Sequence, residues 1–141
     1  MIKGSRKTYL IASWLFLAGV TAQVFLAGMV VVAAQMGWAN HVNLGHTLAL
    51  PLLVMLVTAY VGRLPGSLKR LTWLLFLVYI LQADVLIFLR DSVPALAAFH
   101  PVLALVDFAL GLTLALRVRP LVLQSEKTLI GKTRQTPATS D

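Results

Sequence analysis

Residues 71–89 read LTWLLFLVYILQADVLIFL, and Asp84 is the one charged side chain among them. As a helix rising 1.5 Å per residue, such a run is about 28 Å long, close to the ~30 Å hydrocarbon thickness of a bilayer. Three more runs of the same character lie at about residues 8–36, 42–62 and 96–116. Backbone amides in lipid have no water to bond, so a spanning segment must close its own hydrogen bonds. The period-two alternation of a membrane barrel strand is absent. The sequence therefore predicts an all-α integral membrane protein. The links at Gly37–His41, Arg63–Arg70 and Arg90–Ala95 are short. Short links make neighbouring helices antiparallel, which gives a four-helix up-down bundle.

Composition leads to the same class. Of 141 residues, 59% are hydrophobic and 12% are charged, and the mean hydropathy is +0.86. A soluble domain of this length could not bury so much apolar surface. The chain has no cysteine. That excludes disulfides, iron–sulfur clusters, thiolate zinc sites, cysteine nucleophiles and covalently attached c-type haem. A formal charge of +7 could suggest nucleic acid, but the cations are placed as a membrane protein needs them. Lys3, Arg6 and Lys7 precede the first run, Arg63, Lys69 and Arg70 lie in the middle link, and Arg117, Arg119, Lys127, Lys132 and Arg134 follow the last run. Eleven of the 12 thus fall on one side, with Arg90 alone opposite. The positive-inside rule makes that side cytoplasmic and puts both termini there.

The first run follows a basic start, as a signal peptide would. It is too long for one and is followed by three more spans, so it reads as a retained helix. Residues 1–119 then form the membrane domain, and 120–141 form a polar, disordered cytoplasmic tail. A bacterial inner membrane is the expected location. No Walker or dinucleotide motif is present, and nothing points to an enzyme acting alone.

Polar groups inside a bilayer are costly unless partnered, so each is a functional candidate. They are Gln23 in the first run, His41 and His46 at the start of the second, Gln82 and Asp84 in the third, and His100 and Asp107 in the fourth. The second and fourth helices both begin at the outer side and lie diagonally in a simple bundle. Their histidines therefore sit at similar depth, as the two axial ligands of a b-type haem would. His100, Ala104, Asp107 and Gly111 share one helical face. His41 and His46 lie about 140° apart around a helix and cannot both reach one iron. His46, the deeper of the two, is the expected partner of His100, with His41 as the alternative. Gln23, Gln82 and Asp107 would line the pocket, and Arg90 would meet a haem propionate at the outer face. Trp14, Trp38, Trp73 and Tyr9 read as interfacial aromatics.

Three motifs carry a family resemblance: Gln23-Val-Phe-Leu-Ala-Gly28, His41-Val-Asn-Leu-Gly-His46 and His100-Pro101. In these the chain resembles an uncharacterised family of small bacterial four-helix membrane proteins. That likeness implies a fold but no activity. More distantly, the layout is similar to one half of haem A synthase, a four-helix bundle with histidines on its second and fourth helices. By that comparison His41 matches as well as His46. Val42 stands where the enzyme has an arginine, and Asn40 is the closest polar group to its acidic residue. The resemblance implies haem binding, not haem A synthesis.

Three readings follow. The first is a haem-b protein that passes electrons in the membrane, with quinone as a candidate redox partner. The second is a cofactor-free accessory subunit of a larger complex. The third is a carrier or enzyme that moves protons through Asp84 and Asp107. Expected partners are the bilayer and either other redox subunits or a second copy of the chain, and no nucleic acid.

Overall fold

A computed structural model of the chain describes residues 1–134, and side chains as far as Gln124. The regular structure in those residues is all helical, with no strand among them. Four helices are long and apolar enough to cross a membrane: helix 1, Ile2–Val31; helix 2, Ala39–Val61; helix 3, Gly66–Phe88; and helix 4, Pro94–Gln124.

The ends follow local chemistry more than hydropathy. Helix 1 starts at Ile2, ahead of the apolar run, because Lys3, Arg6 and Lys7 are good helix formers. It stops at Val31, where the β-branched run Val30–Val32 weakens it and Ala34 (φ 52°) turns the chain. Helix 2 is interrupted at Leu48, between Ala39–Thr47 and Ala49–Val61. Pro51 has no N–H to give to the Thr47 carbonyl, so the ladder opens one turn before it. A left-handed Arg63 (φ 49°) makes the sharp turn into helix 3.

Helix 3 contains a π-helical turn at Leu81–Val85. Helix 4 begins with the short turn Pro94–Ala97 and continues from His100 to Arg134. The irregular tail expected from residue 120 is thus helical as far as Arg134. Its apolar residues explain the first turns, since Val122 is buried and Leu121 packs against the core. Residues 135–141 of that expected tail lie outside the described residues.

Helix 1 packs on helices 2 and 4, and helix 3 packs on the same two. Arg6, near the start of helix 1, donates from Nε to the Gly62 carbonyl just past helix 2, at 2.9 Å. The core lies between the helices, with Tyr9, Phe16, Leu52, Met55, Leu75, Leu114 and Val118 fully buried. Phe16 and Tyr79 meet edge to face across it. The outer surface is apolar too: Leu50, Val57, Leu77 and Leu105 are each 60–69% exposed. That surface is compatible with a lipid surround.

In lipid the hydrophobic effect does not draw helices together, so close packing and interhelical hydrogen bonds must hold them. Tyr9 carries one such bond and is not an interfacial aromatic. Its hydroxyl meets Thr72 Oγ1 at 2.7 Å, fully buried. Thr72 spends its own proton on the Leu68 carbonyl at 2.8 Å, so Tyr9 is the donor. Tyr9→Phe should lower unfolding free energy in a bilayer mimic by about 0.6 kcal/mol, and by no more than about 1.7 kcal/mol. A double-mutant cycle with Thr72→Val, measured by denaturant titration in micelles, checks that the loss belongs to this pair.

Candidate functional site

Two imidazoles meet where the first and third links cap the bundle. His41 of helix 2 and His100 of helix 4 have ring centroids 6.1 Å apart and planes inclined at 61°. Each ring is held from behind. His41 Nδ1 lies 3.2 Å from the Gln23 carbonyl, and His100 Nδ1 lies 2.9 Å from the Gln82 carbonyl. A carbonyl can only accept, so both Nδ1 atoms carry the proton and both Nε2 lone pairs are left free. Each carbonyl has a second lone pair, so it can serve a histidine without surrendering its helix bond. Trp38 packs edge-on against His41, with centroids 5.4 Å apart.

These two constructions repeat. Gln23 and Gln82 are 59 residues apart, and so are His41 and His100; each histidine follows its glutamine by 18 residues. At the same offset Ser13 matches Thr72, each hydroxyl donating to the carbonyl four residues back. Trp14 matches Trp73 as well. The bundle is therefore two related helix pairs, each carrying one oriented imidazole. One turn beyond each histidine stands a small residue, Gly45 or Ala104.

The imidazoles line a cavity of about 930 Å³ to which all four helices contribute. Val20, Val24 and Phe25 of helix 1, Ala83 and Ile87 of helix 3, and Leu105 and Phe108 of helix 4 make its walls largely apolar. Gln23 and Gln82 also line it, and the buried Oε1 of each has no hydrogen-bond partner. Both amides are thus available to an occupant. Arg90 lies at the cavity rim, where its Nε is 3.5 Å from Asp91.

Of the residues singled out from sequence, His41, His46, His100, Gln23, Gln82 and Arg90 come together around this space. The histidine facing His100 is His41. His46, the deeper one, turns instead toward helix 3, with Nε2 3.8 Å from Asp84 Oδ1. Asp107 is completely buried, and neither carboxylate oxygen has a hydrogen-bond partner. It does not line the cavity. Gly111, one turn further along the same face, lets helix 4 approach Phe16 and Leu17 of helix 1. Among the described residues no group of three or more His, Asp or Glu could hold a metal ion, so a zinc-type cage is not formed.

Sequence reading missed the roles of the Gln23 and Gln82 carbonyls and of Tyr79, whose hydroxyl donates to the Gly45 carbonyl at 2.7 Å. The 59-residue offset would have exposed the carbonyls, since the Gln–His spacing is the same in both halves.

Four apolar spans around a common cavity place the chain, by length and composition, among multi-pass membrane proteins. Residues 23–86 match DUF6220, a family of unknown function. The matched stretch starts at Gln23 and includes His41, His46, Gln82 and Asp84, but not His100. No curated protein and no solved structure matches the chain. The likeness to half of haem A synthase rests on its motifs alone.

Gly45 is where the site has least room. A Cβ there would lie 2.7 Å from Gln23 Nε2, whereas one at Gly4 would meet nothing within 4 Å. Gly45→Val should force the Gln23 amide out of place and lower the thermal midpoint in detergent by several degrees. Gly4→Val should leave that midpoint within about a degree, and circular dichroism melts of the two variants make the comparison.

Proposed function

We propose that the chain binds haem b between His41 and His100 and carries electrons within the membrane. The observation behind this is the facing imidazole pair with both Nδ1 atoms anchored. Two metal–nitrogen bonds of about 2.0 Å, together with the two ring radii, span about 6 Å, against the 6.1 Å between the ring centroids. Anchoring the far nitrogen to a carbonyl is how proteins fix the tautomer and aim of a ligating histidine. A pair of histidines without further ligands suits a macrocycle that brings its own four nitrogens. The cavity volume falls within the ~300–1,000 Å³ typical of small-molecule sites.

In this reading the apolar walls take the ring edges. Gln23 and Gln82 offer amides to its periphery. Arg90, the one lysine or arginine lining the cavity among the described residues, would meet the propionates. When bound, the haem supplies a one-electron couple; the chain's own part is to orient the imidazoles, exclude water and set the polarity around the site. His41 takes the role that sequence alone inclined toward His46, because the helix 1 carbonyl lies behind His41. Asp107 and its lack of a partner favour the rival proton-carrier reading, and a colourless purified protein would point there.

Purified from haem-replete cells, the chain should show a reduced-minus-oxidised b-type spectrum. His41→Ala and His100→Ala should each abolish it, and His46→Ala should retain it. An unchanged spectrum in His41→Ala would defeat this assignment of ligands.

The bundle is also proposed to be up-down, in an inner membrane, with both termini cytoplasmic. Because the chain has no cysteine, single-cysteine variants report sidedness cleanly. Ser5→Cys and Ser67→Cys should resist a membrane-impermeant maleimide in intact cells, and Ser92→Cys should react.

A further inference from the structure

The two halves of the cavity match at the histidines and glutamines but differ on one wall. His46 and Asp84 form a polar pair on the seam between helices 2 and 3. Shifted by 59 residues, His46 corresponds to Leu105, and Phe25 corresponds to Asp84. Leu105 and Phe25 line the same cavity from helices 4 and 1. One seam therefore carries two apolar side chains, and its counterpart an imidazole and a carboxylate.

This difference is costly in a membrane. The His46 and Asp84 side chains are 62% and 52% exposed within their spans, where polar side chains are expensive unless they serve a site. At 3.8 Å the two are too far apart for a hydrogen bond. The pair therefore makes no direct hydrogen bond that would occupy the imidazole. His46 Nε2 is thus free to accept a proton from a molecule that reaches the seam.

We propose that the helix 2–helix 3 seam, marked by His46 and Asp84, takes a membrane-soluble hydroquinone and accepts its hydroxyl protons. This rests on the haem reading for the electron acceptor. Each hydroquinone loses two O–H protons and two electrons in becoming a quinone. His46 Nε2 takes the protons one at a time and releases each to solvent; ferric haem, held by His41 and His100, would supply a one-electron acceptor for each of the two matching electrons. Asp84 Oδ1 stands 3.8 Å from His46 Nε2. The occupant must be apolar enough to arrive through lipid and must carry an ionisable hydroxyl, which an aromatic diol does.

The other titratable groups near His46 stand on helices 2, 3 and 4 and in the third link. Helix 1 has none between Leu10 and Val31. On helix 3, Tyr79 gives its proton to the Gly45 carbonyl. His41 on helix 2 and His100 on helix 4 have Nδ1 bound to main-chain carbonyls. Asp107 on helix 4 is buried outside the cavity lining, and Arg90 lies beside Asp91.

The test uses full-length haem-loaded protein in micelles, mixed anaerobically with tetramethylbenzohydroquinone. His46→Leu, which installs the residue of the matching position, and the milder His46→Gln should slow haem reduction at least about 100-fold, the scale of a lost general base. Reduced hexaammineruthenium, which gives an electron and no proton, should reduce wild type and variants at equal rates. Equal hydroquinone rates in wild type and both variants would overturn the proposal, as would equal slowing with the ruthenium donor. A second measurement does not need haem. Tetramethylbenzoquinone should saturably quench Trp38, a cavity residue, in cofactor-free protein, and weaken at least tenfold in affinity in His46→Gln. Absence of saturable quenching in wild type overturns the seam as a quinone site, whereas absence of a haem spectrum overturns the haem reading alone.

Discussion

The site depends on one kind of contact, a histidine Nδ1 donating to a main-chain carbonyl in the middle of a neighbouring helix. Helix carbonyls are already bonded and point along the axis, so they are seldom regarded as handles. Here each uses its spare lone pair to fix one imidazole in tautomer and direction. A histidine that lost the contact would leave a half-buried donor unmet. The glutamine side chains, freed from that task, can turn toward the cavity.

Around this contact the bundle keeps its rigid and its irregular parts apart. The fully buried layer of Tyr9, Phe16, Leu52, Met55, Leu75 and Leu114 lies between the helices, and Tyr9 and Thr72 link helices 1 and 3 across it. The irregular backbone gathers nearer the histidines. There helix 2 breaks at Leu48, helix 3 has its π-helical turn, and helix 4 begins only after a separate short turn. Two of the cavity's polar side chains, Gln82 and His46, stand on or just before such irregularities, and Asp84 is within the π-helical turn itself. Irregular backbone inside a membrane is tolerated where it borders a cavity, and π turns recur at functional sites.

Hydropathy made the four helices legible because twenty apolar residues in succession admit few other structures. The ends were less legible. Lys3 and Arg6 look like a boundary yet continue a helix, and Leu121 and Val122 carry helix 4 past the cations that seemed to close it. Tyr9 resembles an interfacial aromatic until Thr72 is found opposite. Within the site, spacing identified His100 and reduced helix 2 to two histidines five residues apart. It could not choose between them, since the choice depends on which one has a helix 1 carbonyl behind it. Interhelical rotation sets that geometry, and it leaves no trace in a single helix's periodicity.

The 59-residue repeat has a consequence for how such a protein could arise. Each helix pair orients its own imidazole with its own carbonyl. Two copies of one ancestral hairpin, meeting face to face, would already have possessed the paired rings. Fusion of two such copies through the Arg63–Pro65 turn would let them diverge, so that one seam became polar while its counterpart stayed apolar. Symmetry of that kind supplies a pair of imidazoles from a single hairpin, and a departure from it gives the site a front and a back.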